Sequence, residues 1–211
     1  MELKGKKAIF LGDSITEGHG TTGDGFFYWQ VFGKKYGLGE VKGYGIGGTR
    51  IARQKKPSDS PRFDLDFCRR CEEMDKDADL VVVFGGTNDY GHGDAPFGTP
   101  ADRTPDSFYG ACHYLMRRLI ELYPAARIVF MTPPHRAEEI KEGKEPLGHY
   151  VSAIEEVAKV YSLPVLDLFG TLGVNPQIEA QRTLYMPDGL HPNNAGAEKI
   201  ADRLGHFLLS L

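Results

Sequence analysis

The chain has 211 residues, 41% hydrophobic and 26% charged, with 25 basic against 29 acidic side chains and a formal net charge of −4. Those values describe an ordinary globular chain, long enough to bury a core without staples, and exclude collagen-like, disulfide-framework and disordered classes. The mild acidity argues against electrostatic nucleic-acid binding, which needs a basic face.

Residues 1–7 (MELKGKK) are charged and lead straight into an apolar run. They have neither the apolar region nor the cleavage site of a signal peptide. No run reaches the ~20 apolar residues of a membrane span. A cytoplasmic chain with no membrane partner is therefore expected. Three cysteines, an odd and low count, agree with that expectation.

Strand-like runs occur at 8–11, 80–84, 128–131 and 165–168, with a weaker one at 41–44. Most are continuously apolar, as strands covered on both faces are. Helical periodicity separates them. Segment 107–123 places Phe108, Cys112, Leu115, Leu119 and Leu122 on one stripe. Segment 150–161 does so with Val151, Ile154, Val157 and Tyr161, and segment 194–209 with Ile200, Leu204 and Leu208. The aromatic-rich segment 26–36 reads as a helix. Strands alternating with helices predict one α/β domain over 1–211, with an about five-stranded parallel sheet between two helical layers. The Gly/Pro-rich stretch 91–106 reads as a long loop within it, and loops of that length are usually functional.

Glycine is the compositional outlier, at 26 residues against a usual share of ~7%. The excess follows the strands. Gly12 ends the first run, Gly45, Gly47 and Gly48 follow the second, and Gly85 and Gly86 follow the third. In an open parallel sheet, ligands bind beyond the carboxyl ends of the strands, and glycine lets the backbone approach them closely. The polar residues of these loops are therefore the candidates for chemistry.

Those residues are Gly12-Asp13-Ser14, Gly86-Thr87-Asn88-Asp89 and, before the last helix, Asp188-Gly189-Leu190-His191. A nucleophilic serine needs a base and an orienting carboxylate, which His191 and Asp188 can supply. The transition state needs donors for its oxyanion, and the Ser14 N–H, a glycine N–H at 48 and the Asn88 amide are suitable. Each piece has a plainer reading. Ser14-Ile15-Thr16-Glu17 fits a capping box, and taken alone Ser14 reads more readily as a helix cap than as a nucleophile. Asn88-Asp89 and Asp188-Gly189 are also turn signals. Asp13 and Asp89 read as loop-shaping acceptors.

Together, GDS at 12–14, the glycine at 48, GTND at 86–89 and DGLH at 188–191 resemble the four ordered blocks of the SGNH (GDSL-like) hydrolases. The blocks span nearly the whole chain. Ile15-Thr16 departs from the literal GDSL spelling. The resemblance implies a flavodoxin-like α/β/α fold and ester hydrolysis with no metal and no cofactor. It implies Ser14 as nucleophile, His191 as base and Asp188 as its orienting carboxylate. Gly48 and Asn88, with the Ser14 N–H, would form the oxyanion hole. A one-residue shift would move the glycine donor to Gly47. His92, four residues beyond Asn88, is a candidate substrate contact or a solvated loop histidine.

Other signals weigh less. Gly18 to Gly23 matches G-x-G-x-x-G but begins seven residues beyond Leu11, too late for a dinucleotide turn. Cys68-Arg69-Arg70-Cys71 is a C-x-x-C lacking a second ligand pair. His135, His149, Arg50 and Arg53 are possible pocket residues that nothing in the sequence places. The lead reading is an ester hydrolase acting on a small-molecule ester. A carbohydrate- or lipid-binding module on the same fold is the alternative, and a zinc or redox protein a third. Sugar deacetylation, lysophospholipid or thioester hydrolysis and acyl transfer all fit the resemblance, with a lean towards small or carbohydrate esters. Loops 19–30, 91–106 and 133–149 are expected to shape the pocket.

Overall fold

The computed structural model describes residues 2–211. Chain order is β1 (Lys7–Gly12), α1 (Ser14–Glu17), α2 (Tyr28–Tyr36), β2 (Glu40–Gly45), α3 (Phe67–Arg70), β3 (Leu80–Phe84) and α4 (Thr87–His92). There follow α5 (Phe108–Leu122), β4 (Arg127–Met131), α6 (Leu147–Val160), β5 (Val165–Leu166), α7 (Leu168–Thr171), α8 (Glu179–Tyr185) and α9 (Asn194–Ser210).

The five strands form one parallel sheet in the order β2-β1-β3-β4-β5. This is the doubly wound order, whose switch point lies between β1 and β3. Strand alternation divides the apolar side chains between two faces. Ile9, Leu11, Val81, Val83, Ile128 and Phe130 pack against α3, α5 and α6. Ala8, Phe10, Leu80, Val82, Val129 and Met131 pack with α2 and α9. Both faces are thus covered, which is why the strands read as continuous apolar runs.

The expected elements are present within one to three residues at each end, except the last strand. Residues 165–168 give a two-residue strand, because Asp167 turns the chain into α7 by accepting the Gly170 N–H. The capping-box reading is corrected. Asp13 is the N-cap of α1 and accepts the Ile15 N–H at 3.0 Å. Ser14 is the first residue of the helix, and Glu17 turns away to other partners.

The register sets the site. Gly12 pairs with Gly45 on one side and with Phe84 on the other. Three strands therefore end at one level, and their following loops emerge side by side. Arg70, buried on α3, fastens these ends: it donates to the carbonyls of Gly12 (2.9 Å), Tyr44 (2.5 Å) and Leu65 (2.8 Å) and to Thr49 Oγ1 (2.8 Å). Burial pushes its guanidinium down to about 10, so it remains a cation at neutral pH.

Candidate active site

Ser14 begins α1 directly beyond β1, and only 5% of it is exposed. Its first-turn N–H has no intrahelical acceptor. His191 and Asp188 come from the turn between α8 and α9. Asp188 accepts the Leu190 and His191 amides at Oδ1 (2.9 and 2.7 Å), which fixes the carboxylate. Its Oδ2 meets His191 Nδ1 at 2.7 Å. A carboxylate only accepts, so Nδ1 carries the proton. The Nε2 lone pair then faces the Ser14 hydroxyl at 2.9 Å. Burial works to raise the Asp188 carboxyl, but the His191 amide and ring and the Leu190 amide hold it below its ordinary value.

Asn88 lies in the first turn of α4, beyond β3. Its Nδ2 donates one proton to the Thr49 carbonyl at 3.0 Å, and its Oδ1 accepts from His92 Nε2 at 3.2 Å. The amide is held by both ends and keeps one N–H for a ligand. Arg50 Nη2 donates to His92 Nδ1 at 3.0 Å, which leaves His92 Nε2 as the donor to Asn88. Desolvation, followed by Arg50 and the nearby Lys144, Arg136 and Lys141, pushes His92 down to about 4. His92 does line the cleft. Both its nitrogens are already engaged, however, so the ring holds Asn88 and offers substrate no free donor.

The choice between the adjacent glycines follows from their amides. The Gly47 N–H donates to Glu17 Oε2 at 2.6 Å, whereas the Gly48 N–H has no acceptor among the described residues. Gly48 has φ +77°, and a Cβ there would lie 2.4 Å from the Phe63 ring. Only glycine fits that backbone without strain.

Asp89 and Asp13 act as acceptors, as expected of them. Asp89 takes the Ile51 and Ala52 amides, both at 2.9 Å, and so ties α4 to the loop after β2. Burial raises Asp13 to about 7 and Asp89 to about 6.

Ser14, His191, Gly48, Asn88 and His92 all line one open cleft of about 630 Å³. The arrangement joins a hydroxyl to a lone-pair acceptor and sets three N–H donors in the same cleft. A set of groups so arranged is chemically able to support acyl transfer. Asp188 stands behind His191. Arg50 acts through His92. Arg53 lies away, pairing with Asp106. His135 and His149 pair with Glu139 and Glu145. Cys68 and Cys71 are buried in the core, where burial pushes both thiols up.

Some of the cleft wall was not foreseen. Ser60, Arg62 and Phe63 reach it from the loop after β2, which the expected pocket loops omitted. His19, Arg136 and Lys141 also line it. Their only sequence signal was position within the loops expected to shape the pocket.

The family model for the GDSL-like lipase/acylhydrolase family matches residues 10–199. A crystal structure 32% identical to the chain superposes with a TM-score of 0.89, covering 100% of this chain and 99% of that one. A protein from Lactobacillus plantarum, 30% identical, gives a TM-score of 0.86 over 99% of this chain and 98% of its own. An acetyl xylan esterase, AlAXEase, shares the fold at 24% identity, with a TM-score of 0.65 over 94% of this chain and 97% of its own. No curated protein matches the chain.

Proposed function

The chain belongs to the GDSL-like lipase/acylhydrolase family, and on that premise we propose that it is a serine esterase cleaving a small carboxylic ester through an acyl-enzyme on Ser14. The observation that carries this reading is the unbroken line from Ser14 Oγ to His191 Nε2 (2.9 Å) and from His191 Nδ1 to Asp188 Oδ2 (2.7 Å).

In this reading His191 takes the Ser14 proton as Oγ bonds to the acyl carbon. The carbonyl π pair moves to oxygen, where the Ser14 N–H, the Gly48 N–H and the free Asn88 N–H stabilise the charge. When the intermediate collapses, the bond to the alcohol oxygen breaks, and that oxygen takes the proton from His191. Water then gives a proton to His191 and attacks the acyl-serine. A second collapse releases the acid and returns the proton to Ser14 Oγ. Asp188 keeps the imidazole in the required tautomer and stabilises the transient imidazolium.

Turnover of nitrophenyl acetate tests the reading. Wild-type protein is expected to hydrolyse it, and Ser14→Ala to lose at least roughly a thousand-fold in kcat with an unchanged circular dichroism spectrum. Equal rates in the two proteins would overturn the assignment.

A further inference from the structure

The wall of the cleft carries three cationic side chains, Arg62, Arg136 and Lys141, and among the described residues no carboxylate. Two of the cations have counter-ions: Arg62 pairs with Glu17 at 2.5 Å and Lys141 with Glu138 at 3.3 Å. Arg136 differs. No described carboxylate lies within ion-pair distance of its guanidinium. The two acidic residues nearest in sequence have other partners: Glu138 pairs with Lys141, and Glu139 is taken by His135 and by the backbone N–H of Arg136 itself.

Arg136 is nevertheless held in place. Its Nη1 donates to the Thr87 carbonyl and hydroxyl, both at 3.2 Å. The guanidinium lies over the Tyr90 ring, 5.3 Å from the centroid. A Cβ at position 91 would lie 3.0 Å from Nη1, so the guanidinium packs closely against Gly91. The loop carrying Arg136 is joined to the His191 turn, because the Ala137 N–H donates to the Gly189 carbonyl at 2.8 Å. Burial lowers the guanidinium from its ordinary value, against the opposing pull of Tyr90, Glu138 and Glu139. A partly buried cation with donors to spare is a site for an oxyanion group, which the planar guanidinium matches in geometry.

We propose that the substrate is an anionic ester, carrying a carboxylate or phosphate besides its scissile ester, and that Arg136 receives that group. The proposal rests on the esterase reading for the site but adds a recognition element to it. Lys141 and Arg62 line the same cleft, but Glu138 and Glu17 offset their charges, which leaves Arg136 as the group that receives the anion.

Paired esters separate charge from shape. β-Acetoxypropanoate is compared with isoamyl acetate, ethyl hydrogen glutarate with ethyl isoheptanoate, and acetoxyethyl phosphate with acetoxyethanol. In wild-type protein at low ionic strength, kcat/KM for at least one charged ester should exceed that of its neutral partner by roughly ten-fold or more. The ratio should fall with added salt, collapse towards one in Arg136→Gln and survive in part in Arg136→Lys. A ratio is used because general damage to the fold lowers both members of a pair alike. The phosphate pair giving the largest ratio identifies a phosphoester, and either carboxylate pair an acid. Ratios near one in wild type, or a ratio retained in Arg136→Gln, overturn the proposal. Thermal stabilisation by hydroxyethyl phosphate, β-hydroxypropanoate and glutarate needs no turnover. If no ester is hydrolysed, stabilisation seen in wild type but not in Arg136→Gln supports the anion site and overturns the esterase reading. Its absence then overturns both.

Discussion

His92 Nε2 lies 3.2 Å from Asn88 Oδ1, and the proton is placed on that nitrogen because Arg50 donates to the other. The hydrogen bond turns the Asn88 amide so that Nδ2 faces the Thr49 carbonyl and the cleft. Replacing His92 with Phe should lower kcat by roughly ten- to a hundred-fold with little change in KM, the signature of an interaction made in the transition state. Gln, whose amide can donate from nearly the same place, should recover part of the loss. The pH dependence has a definite sign. His92 is pushed down to about 4 in the folded protein from about 6.5 unfolded. Its contribution is therefore complete above about 6.5 and is lost as pH falls towards 4. Urea unfolding of wild type and His92→Gln should show the wild-type advantage at pH 7.5 shrinking at pH 4.5. An advantage that grows on acidification would contradict the neutral tautomer.

Asp188→Asn should retain the fold and lose roughly a hundred-fold or more in kcat. Asn can present an N–H to His191 and so favour the wrong tautomer. The loss should be smaller than for a fully buried triad carboxylate, since the Asp188 side chain is 55% exposed and solvent can compensate in part. Steady-state kinetics on nitrophenyl acetate check this, and an unchanged kcat would remove Asp188 from the mechanism.

Arg70→Met should destabilise the protein by roughly 2–4 kcal/mol, because it strips the donor from three backbone carbonyls at the strand ends. Chemical denaturation measures the loss. The variant should also lower kcat, because Gly12 precedes Asp13-Ser14 and Thr49 holds Asn88. Wild-type stability in this variant would show that the strand ends are positioned by packing alone.

The sheet was legible because β1, β3 and β4 are buried on both faces and β2 lies between glycine-rich turns. The site was legible where chemistry is local in sequence. Asp188 and His191 sit three residues apart in one turn, and Ser14 and Asn88 follow strand ends whose register is dictated by the sheet. What the sequence hid depends on long-range contacts. Arg70 sits inside a C-x-x-C spacing that drew attention to its cysteines, yet those are core and the arginine is the structural clamp. Glu17 fits a capping box for Ser14, but its carboxylate crosses to the Gly47 amide, Arg62 and His19. Asp13, one residue earlier, takes the cap because the chain enters α1 there. The link from Arg50 through His92 to Asn88 spans 42 residues in its first step and could be seen only once both loops were placed.

The most direct test of the central claim is covalent labelling with a fluorophosphonate, located by peptide mass spectrometry. The account predicts one phosphonyl adduct, on Ser14, formed in wild type and lost or strongly slowed in His191→Ala. An unlabelled wild-type protein, or an adduct on a different residue with Ser14 unmodified, would contradict it.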